Sequence, residues 1–219
     1  MQSKITPDNI GDVLRILDDF VKQYRLPAVS QFNKNPFNVL VSTLLSLRTK
    51  DSVTIEASKR LFNRVKNCND LEKLSVDEIA EIIYPVGFYK TKARRLKEIC
   101  VVLKEKFNGR IPDSLNELLT LPGVGRKTAN LVLTEGFNKS GLCVDTHVHR
   151  ISNRWGFVKT KTPEQTEFAL REKLPKKFWK DYNKILVAFG QNLCLPISPY
   201  CSKCPINEFC MKVGVKKHR

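Results

Sequence analysis

Residues 121–150, LPGVGRKTANLVLTEGFNKSGLCVDTHVHR, combine a glycine-rich turn, a lysine and an aspartate in one segment. In the turn, Gly123 and Gly125 flank Val124, and residues without a Cβ atom permit positive φ and allow successive backbone N–H groups to face an anion. The turn leads directly into an apolar run typical of a helix, so the positive end of that helix dipole faces the same way. The segment therefore predicts a binding site for a nucleic-acid phosphate.

Lys127 follows this turn and is predicted to lie at the start of the helix. An uncharged lysine amine in that place can attack a sugar C1′ carbon, expel the base and form a Schiff base. The amine must first lose its proton, and a helix N-terminus supplies only a small part of the required free energy. We therefore expect Lys127 to be partly buried, because desolvation disfavours its charged form.

Asp145 precedes Thr146, where its side chain can also cap a helix. We expect it beside the sugar and away from Lys127, because a carboxylate in contact with the lysine would stabilise the ammonium. There it would deprotonate the incoming nucleophile or stabilise positive charge as the base departs. Taken singly, the lysine, the aspartate and the turn also fit a solvated cation, a plain cap and a generic turn, but their order and spacing favour catalysis.

The composition indicates a folded, basic protein. Hydrophobic residues make up 42% of the 219 residues, and 38 lysines and arginines against 22 acidic residues give a net charge of +16. Such a charge favours a polyanionic partner, nucleic acid first, although a generally solvated basic surface would give the same number. We see no signal peptide and no apolar run of the ~20 residues that a membrane span needs. We expect an intracellular protein, cytoplasmic and nucleoid-associated if prokaryotic.

The start and stop signals along the chain are those of helices, and no convincing period-2 alternation predicts a strand, so the expected fold is all-α. The run that begins at Pro36 is apolar nearly all round, as a buried central helix would be. The other predicted helices run from Thr6 to about Tyr24, from Asp51 to about Val65, from Ser75 to Ile83, from Lys90 to Asn108, from Ser114, from Thr162 and from Phe178 to Gln191.

Four of the seven cysteines, Cys194, Cys201, Cys204 and Cys210, follow the spacing C-x6-C-x2-C-x5-C. A structural zinc site usually has two close pairs of ligands, whereas this pattern has one close pair flanked by two single cysteines. Four thiolates are the usual ligand set of a 4Fe-4S cluster. We rank that cluster first, zinc second and unliganded cysteines last. Cys68, Cys100 and Cys143 are predicted to be buried apolar thiols.

The motifs LPGVGRKTAN and VDTHVHR closely resemble those of the helix-hairpin-helix, Gly-Pro-Asp superfamily of DNA glycosylases, and within it the endonuclease III family. The resemblance extends from about Pro36 to Cys210 and includes the spacing of the cysteines. Lys127 and Asp145 match the family's catalytic lysine and aspartate. The resemblance thus implies a bifunctional enzyme, a glycosylase that removes oxidised pyrimidines such as thymine glycol and an AP lyase that cuts the abasic strand by β-elimination.

The resemblance also implies two domains. Residues 27–138 would form a six-helix domain that includes the hairpin, and residues 1–26 with 139–219 would form an iron-sulfur cluster domain. Double-stranded DNA with a damaged pyrimidine or an abasic site would bind in the cleft between them, and the protein would act as a monomer without a membrane partner.

A base inside a duplex cannot reach Lys127, so the nucleotide must be extruded and the gap filled. By similarity to the family, Arg48 and the segment Val86-Gly87-Phe88 are the candidates for filling it, and His147 is a further candidate DNA contact with no role in proton transfer. Arg48 and Phe88 stand where the common bacterial pattern has Gln and Leu. The simpler interpretation of Arg48 is an exposed ion pair with Asp51 on a helix, and that of Phe88 is core packing.

Two other kinds of protein fit part of the pattern. Mismatch glycosylases of the superfamily share the hairpin, the aspartate and the cysteines but generally lack the lysine, so Lys127 disfavours them. A non-catalytic helix-hairpin-helix module would use the turn for DNA binding and would need neither Lys127 nor Asp145. The basic run Lys90, Lys92, Arg94 and Arg95 fits DNA-backbone contacts in part and a solvated face in part.

Overall fold

The computed structural model describes residues 4–24 and 35–219, and within these ranges the chain forms helices and turns without a β-strand. The all-α prediction is confirmed. The helices are α1 (Ile10–Val21), α2 (Pro36–Ser46), α3 (Asp51–Arg64), α4 (Cys68–Lys73), α5 (Val76–Ile83), α6 (Tyr89–Phe107), α7 (Leu115–Leu118), α8 (Arg126–Leu131), α9 (Thr146–Arg154), α10 (Pro163–Lys173) and α11 (Trp179–Asn192). A π-helical segment, Val132–Gly136, continues α8, and short 3-10 turns lie at Lys176–Phe178 and Cys201–Lys203.

Local capping residues set most of the helix starts. The Asn35 side chain accepts a hydrogen bond from the Phe37 amide at 2.9 Å, and Ser75 with Glu78 forms the predicted capping box. These bonds satisfy amides that have no partner within the helix. The prediction was less accurate for α1, which begins at Ile10, because residues 6–9 form a turn in which the Asn9 side chain accepts from the Thr6 amide.

The chain divides into two compact units, Pro27–Gly141 and Met1–Leu26 with Leu142–Arg219. The domain boundary expected after residue 138 falls just before the change of unit at residues 141 and 142. The other expected boundary, between residues 26 and 27, lies outside the described residues.

In the unit Pro27–Gly141, α2 is the central element. Its residues from Phe37 to Leu45 are almost all buried, as its continuous apolar pattern predicted. It packs against α3, α6, α8 and the π-helical segment. Gly136 allows a close approach there, because a Cβ at this position would lie 2.9 Å from Pro36 Cα. This packing holds α8, and with it the segment that follows the glycine-rich turn.

In the other unit, α11 packs against α9 and α1, and α10 packs against α9. The large side chains Trp155, Tyr182 and Phe189 are fully buried in its core. The Tyr182 hydroxyl and Ser152 Oγ lie 3.0 Å apart, so the polar end of that tyrosine is satisfied. The core fixes α9, whose first turn follows Asp145. Among the described helices, none is both long enough and apolar enough to cross a bilayer.

Candidate functional site

The glycine-rich turn lies between α7 and α8 and uses its two glycines differently. Gly123 has φ +73°, a left-handed conformation that favours glycine, and a Cβ there would lie 3.2 Å from Arg95 Cδ. Gly125 is extended, with φ −93° and ψ 175°, and no described atom lies within 4 Å of where its Cβ would be. The fold therefore requires glycine at 123, whereas at 125 glycine leaves open space in front of the first turn of α8.

Val124 anchors this turn to the core. Its side chain is 6% exposed, and its amide donates to the Leu121 carbonyl at 3.1 Å. The prediction that successive amides of the turn face an anion is therefore wrong for Val124, whose N–H is used within the turn. The candidate DNA contact at this residue is therefore its backbone carbonyl and not its N–H or its buried side chain.

Lys127 lies in the first turn of α8 and is exposed, while the next three residues, Thr128, Ala129 and Asn130, are buried. The prediction that Lys127 is partly buried is wrong for the protein by itself. The reason is its position on the helix: the buried face of α8 begins one residue later, and Lys127 lies on the opposite side. Any desolvation of the amine must come from a bound partner.

Asp145 caps α9, as the sequence predicted. Its Oδ1 atom accepts from the amides of His147 and Val148, both at 2.9 Å, and the side chain is 8% exposed. Two amides on one carboxylate oxygen fix the rotamer of the group. The carboxylate is therefore held in one orientation beside a small opening to solvent.

His147 and Arg150 connect the start of α9 to the cysteine segment. An Arg150 Nη2 group lies 3.2 Å from His147 Nδ1 and donates to the carbonyls of Gly190 at 3.1 Å and Cys194 at 2.8 Å. His147 is half-buried. Its ring thus has a partner within the same unit.

Cys194, Cys201, Cys204 and Cys210 line one cavity, together with Arg154. Arg154 Nη1 donates to Cys194 Sγ at 3.3 Å and to the Leu195 carbonyl at 2.7 Å. Burial, and to a smaller extent the charges of the neighbouring cysteines, raise the pKa of Cys204 to about 12. Thiolates repel one another, so four neighbouring thiols require positive charge to become thiolates together.

Backbone groups also face the sulfurs of this cavity. The Lys212 amide donates to Cys210 Sγ at 3.4 Å. Among the described residues, no group of three or more His, Cys, Asp or Glu side chains is arranged to hold a metal ion. The remaining cysteines, Cys68, Cys100 and Cys143, are buried at 6%, 2% and 1% exposure, which confirms that prediction.

Arg48 and Phe88 lie on neighbouring loops that precede α3 and α6. The Arg48 guanidinium carbon lies 5.8 Å from the centre of the Phe88 ring, and Phe88 is 61% exposed. Core packing of Phe88, one of the two simpler interpretations, is therefore wrong. Val86, in contrast, is 1% exposed and belongs to the core, so its predicted place in the gap-filling surface is wrong.

Sequence reasoning missed the residues that hold these parts in place. Arg150 and Arg154 stand four positions apart on α9, so both face the cysteine segment, and that spacing was a usable signal. Lys92 belongs to the basic run that fits DNA-backbone contacts in part, but its ammonium donates to main-chain carbonyls at the end of α2 and in the loop after it. No local pattern distinguishes such a lysine from a solvated one.

Comparisons with known families and curated proteins place the chain among DNA repair proteins. A profile described as "HhH-GPD superfamily base excision DNA repair protein" matches residues 41–176. Endonuclease III of Thermotoga maritima is 50% identical over 187 residues, which cover 83% of this chain and 88% of that protein. Endonuclease III homolog 2, chloroplastic, of Arabidopsis thaliana is 46% identical over 183 residues, but the match covers 80% of this chain and 47% of the plant protein.

Solved structures agree. A non-covalent endonuclease III–DNA complex superposes with a TM-score of 0.84 at 32% identity, over 95% of this chain and 96% of that one. A trapped endonuclease III–DNA covalent intermediate gives the same TM-score and identity, over 95% and 97% of the two chains. The all-helical fold is therefore that of these endonuclease III structures. The segment 121–150 lies inside the region that the superfamily profile matches.

Proposed function

The chain belongs to the endonuclease III family, within the HhH-GPD superfamily of base excision DNA repair proteins, and from that premise we propose that it removes oxidised pyrimidines and then cuts the abasic strand. Its substrate would be double-stranded DNA that carries a damaged pyrimidine such as thymine glycol, or an abasic site, and it would act as a monomer. The observation that carries the proposal is the exposed Lys127 in the first turn of α8, directly after the glycine-rich turn.

Lys127 would be the nucleophile. Its Nζ attacks C1′, the glycosidic bond breaks, and the base leaves with the bonding electrons and takes up a proton. The nitrogen lone pair then forms a C=N bond as the C1′–O4′ bond breaks and O4′ takes up a proton, and the resulting Schiff base makes the C2′ proton acidic. Loss of that proton breaks the bond between C3′ and its oxygen, which cuts the strand by β-elimination. Because the amine is exposed in the protein by itself, DNA bound over α8 would have to exclude water from it before it attacks.

Asp145 would act on the same sugar. The amides of His147 and Val148 hold its carboxylate, so it needs little reorganisation to stabilise positive charge at C1′ as the base departs. It would also receive a proton from the incoming amine. A fixed anion suits both steps better than a mobile one.

Two parts of the protein would bind DNA, the backbone amides at the start of α8 and the side chains of Arg48 and Phe88. The open space at Gly125 supports close approach of a phosphate to the amides at the start of α8. Arg48 and Phe88 are exposed and in contact, which supports their place in the gap left by the extruded nucleotide. Val86 is not part of this surface, and His147 is left as a structural partner of Arg150.

Cys194, Cys201, Cys204 and Cys210 would hold a 4Fe-4S cluster. The residues fit such a group, because four sulfurs line one cavity, and two of them receive hydrogen bonds, Cys194 from Arg154 and Cys210 from the Lys212 amide. A bound cluster would supply the positive charge that four neighbouring thiolates need, and it would cross-link the two ends of the segment 194–210.

Borohydride trapping tests the lysine. Wild-type protein is mixed with duplex DNA that contains one thymine glycol and is compared with Lys127→Gln and with Lys106→Gln, which removes an exposed lysine of α6. We expect a covalent protein–DNA complex with the wild type and Lys106→Gln and none with Lys127→Gln. Base release without a trapped complex would support a monofunctional glycosylase instead.

Iron analysis tests the cluster. The purified wild type should contain iron and acid-labile sulfide and absorb visible light, and Cys204→Ala should lose most of all three. Cys143→Ala, which changes a buried cysteine outside the cavity, should keep them. Zinc in place of iron in the wild type would contradict the assignment.

A further inference from the structure

Lys92 joins two neighbouring loops of the unit Pro27–Gly141. Its ammonium donates to the carbonyls of Leu45 at 2.8 Å and Leu47 at 2.6 Å and to the Thr49 hydroxyl at 3.2 Å. Its backbone amide donates to the Phe88 carbonyl at 2.9 Å. One residue therefore holds the loop after α2 through its side chain and the loop before α6 through its main chain.

Thr49 adds a second link between the same loops. Its hydroxyl oxygen, which receives the Lys92 ammonium, also accepts from the Gly87 amide at 3.1 Å. The two loops also touch through their backbones, because a Cβ on Gly87 would lie 2.6 Å from the Arg48 carbonyl oxygen. The hydrogen bonds of Lys92 and Thr49 thus hold the two loops together and place Arg48 and Phe88 side by side.

Both presented residues have unusual backbone conformations. Arg48 has φ 53° and Phe88 has φ 59°, in the left-handed region that side chains with a Cβ disfavour, and a bulky residue such as Phe is seldom found there. Such conformations persist when the surrounding structure holds them and are concentrated at functional sites. The bonds made by Lys92 lie next to each of these residues in the chain.

We propose that Lys92 is a positioning residue that sets the arrangement of Arg48 and Phe88, and through them the extrusion of the target nucleotide from duplex DNA. This inference rests on the proposed function. It separates Lys92 from the exposed Lys90, since the Lys92 ammonium is directed at three oxygen atoms of the protein and not at a phosphate.

The test compares a substrate that needs extrusion with one that does not. Single-turnover excision is measured on duplex DNA with thymine glycol, and strand cleavage is measured on a preformed abasic site in single-stranded DNA. Lys92→Met, which keeps the aliphatic stem, should lower the first rate about tenfold, because small misplacements of positioning groups are costly, and leave the second unchanged. Lys92→Arg should recover most of the loss.

Lys97→Met is the matched control. Lys97 lies on the same helix and also donates to two carbonyls, those of Glu72 at 2.6 Å and Leu74 at 2.8 Å, at the C-terminal end of α4. It should leave the ratio of the two rates unchanged. Thr49→Val, which removes the shared hydroxyl, should lower the ratio in the same direction as Lys92→Met.

Two results would overturn the inference. If Lys92→Met lowers both rates equally, or changes their ratio no more than Lys97→Met does, then Lys92 serves only the stability of the fold. If the wild type acts on neither substrate, the proposed function is wrong and the inference is lost with it. Wild-type activity with an unchanged ratio in Lys92→Met rejects the inference alone.

Discussion

Asp145 combines a structural and a chemical function in one carboxylate, and substitutions can separate them. Asparagine keeps the oxygen that accepts the His147 and Val148 amides but removes the charge. Asp145→Asn should therefore keep the cap and the DNA affinity while excision falls by about 10²-fold or more, the usual contribution of a general acid or base. Single-turnover excision and fluorescence anisotropy with an abasic-site analogue measure the two effects.

Asp145→Ala removes both functions and should additionally cost about 1 kcal/mol of stability through loss of the cap. Ser75→Ala, which removes the cap of α5, is the control for that cost and should leave excision intact. Equal excision by Asp145→Asn and the wild type would favour a non-catalytic DNA-binding module.

Lys92 also makes a prediction about pH. Burial lowers the pKa of Lys92 from 10.5 to about 8. The folded protein then loses this proton at a lower pH than the unfolded chain, so between pH 8 and 10.5 the unfolded chain binds more protons and the free energy of unfolding rises with pH. The difference in unfolding free energy, wild type minus Lys92→Met, should increase across this window in urea titrations. A decrease would mean that the hydrogen bonds to the three acceptor oxygens stabilise the ammonium more than burial destabilises it.

The turn before α8 makes a prediction at the scale of an element, because its glycines have different reasons to be there. Gly125→Ala places a methyl group in open space, so stability should change by less than about 1 kcal/mol. DNA binding should weaken by about 1.5–3 kcal/mol, the value of a hydrogen bond to a charged group, if a phosphate approaches there. Anisotropy and thermal unfolding measure the pair of effects.

Gly123→Ala should behave in the opposite way. Its φ of +73° would cost about 1–2 kcal/mol of stability in any residue with a Cβ. Unchanged DNA affinity in Gly125→Ala would show that no DNA phosphate binds at this turn.

The first turn of α6 makes a second prediction at this scale. Lys90 is exposed two residues after Phe88, so it lies next to the proposed gap-filling surface. If it contacts one phosphate, Lys90→Ala should lower the slope of log affinity against log salt by about 0.9. Lys106→Ala, at the far end of the same helix, should leave the slope unchanged. Equal slopes for both variants would show that Lys90 faces solvent and contacts no phosphate.

At the scale of the whole molecule, the net charge of +16 predicts strongly salt-dependent binding. With six to ten phosphate contacts, affinity for duplex DNA should fall by about 10³-fold or more between about 50 and 200 mM salt. The slope should be similar for damaged and undamaged duplexes, since the charge acts on the backbone and not on the lesion. A slope near zero would show that the charge is a solvated surface.

The sequence by itself determined what depends on near neighbours in the chain. The all-α class, the buried α2, most helix starts and the cap by Asp145 follow from periodicity and from side chains that bond amides two or three residues away. The burial of Cys68, Cys100 and Cys143 was also predicted correctly. The catalytic roles of Lys127 and Asp145 and the cluster remain predictions that the motifs and the family support.

Only the tertiary structure decided the environment of single side chains. Lys127 is exposed, Val86 is buried, and Lys92 binds carbonyls at the end of α2 and in the loop after it, none of which the local pattern indicated. The physical reason is that burial and hydrogen-bond partners are set by residues far away in the chain, as between Lys92 and Leu45. A lysine that holds a loop and a lysine that faces solvent have the same local sequence signal, and packing alone separates them.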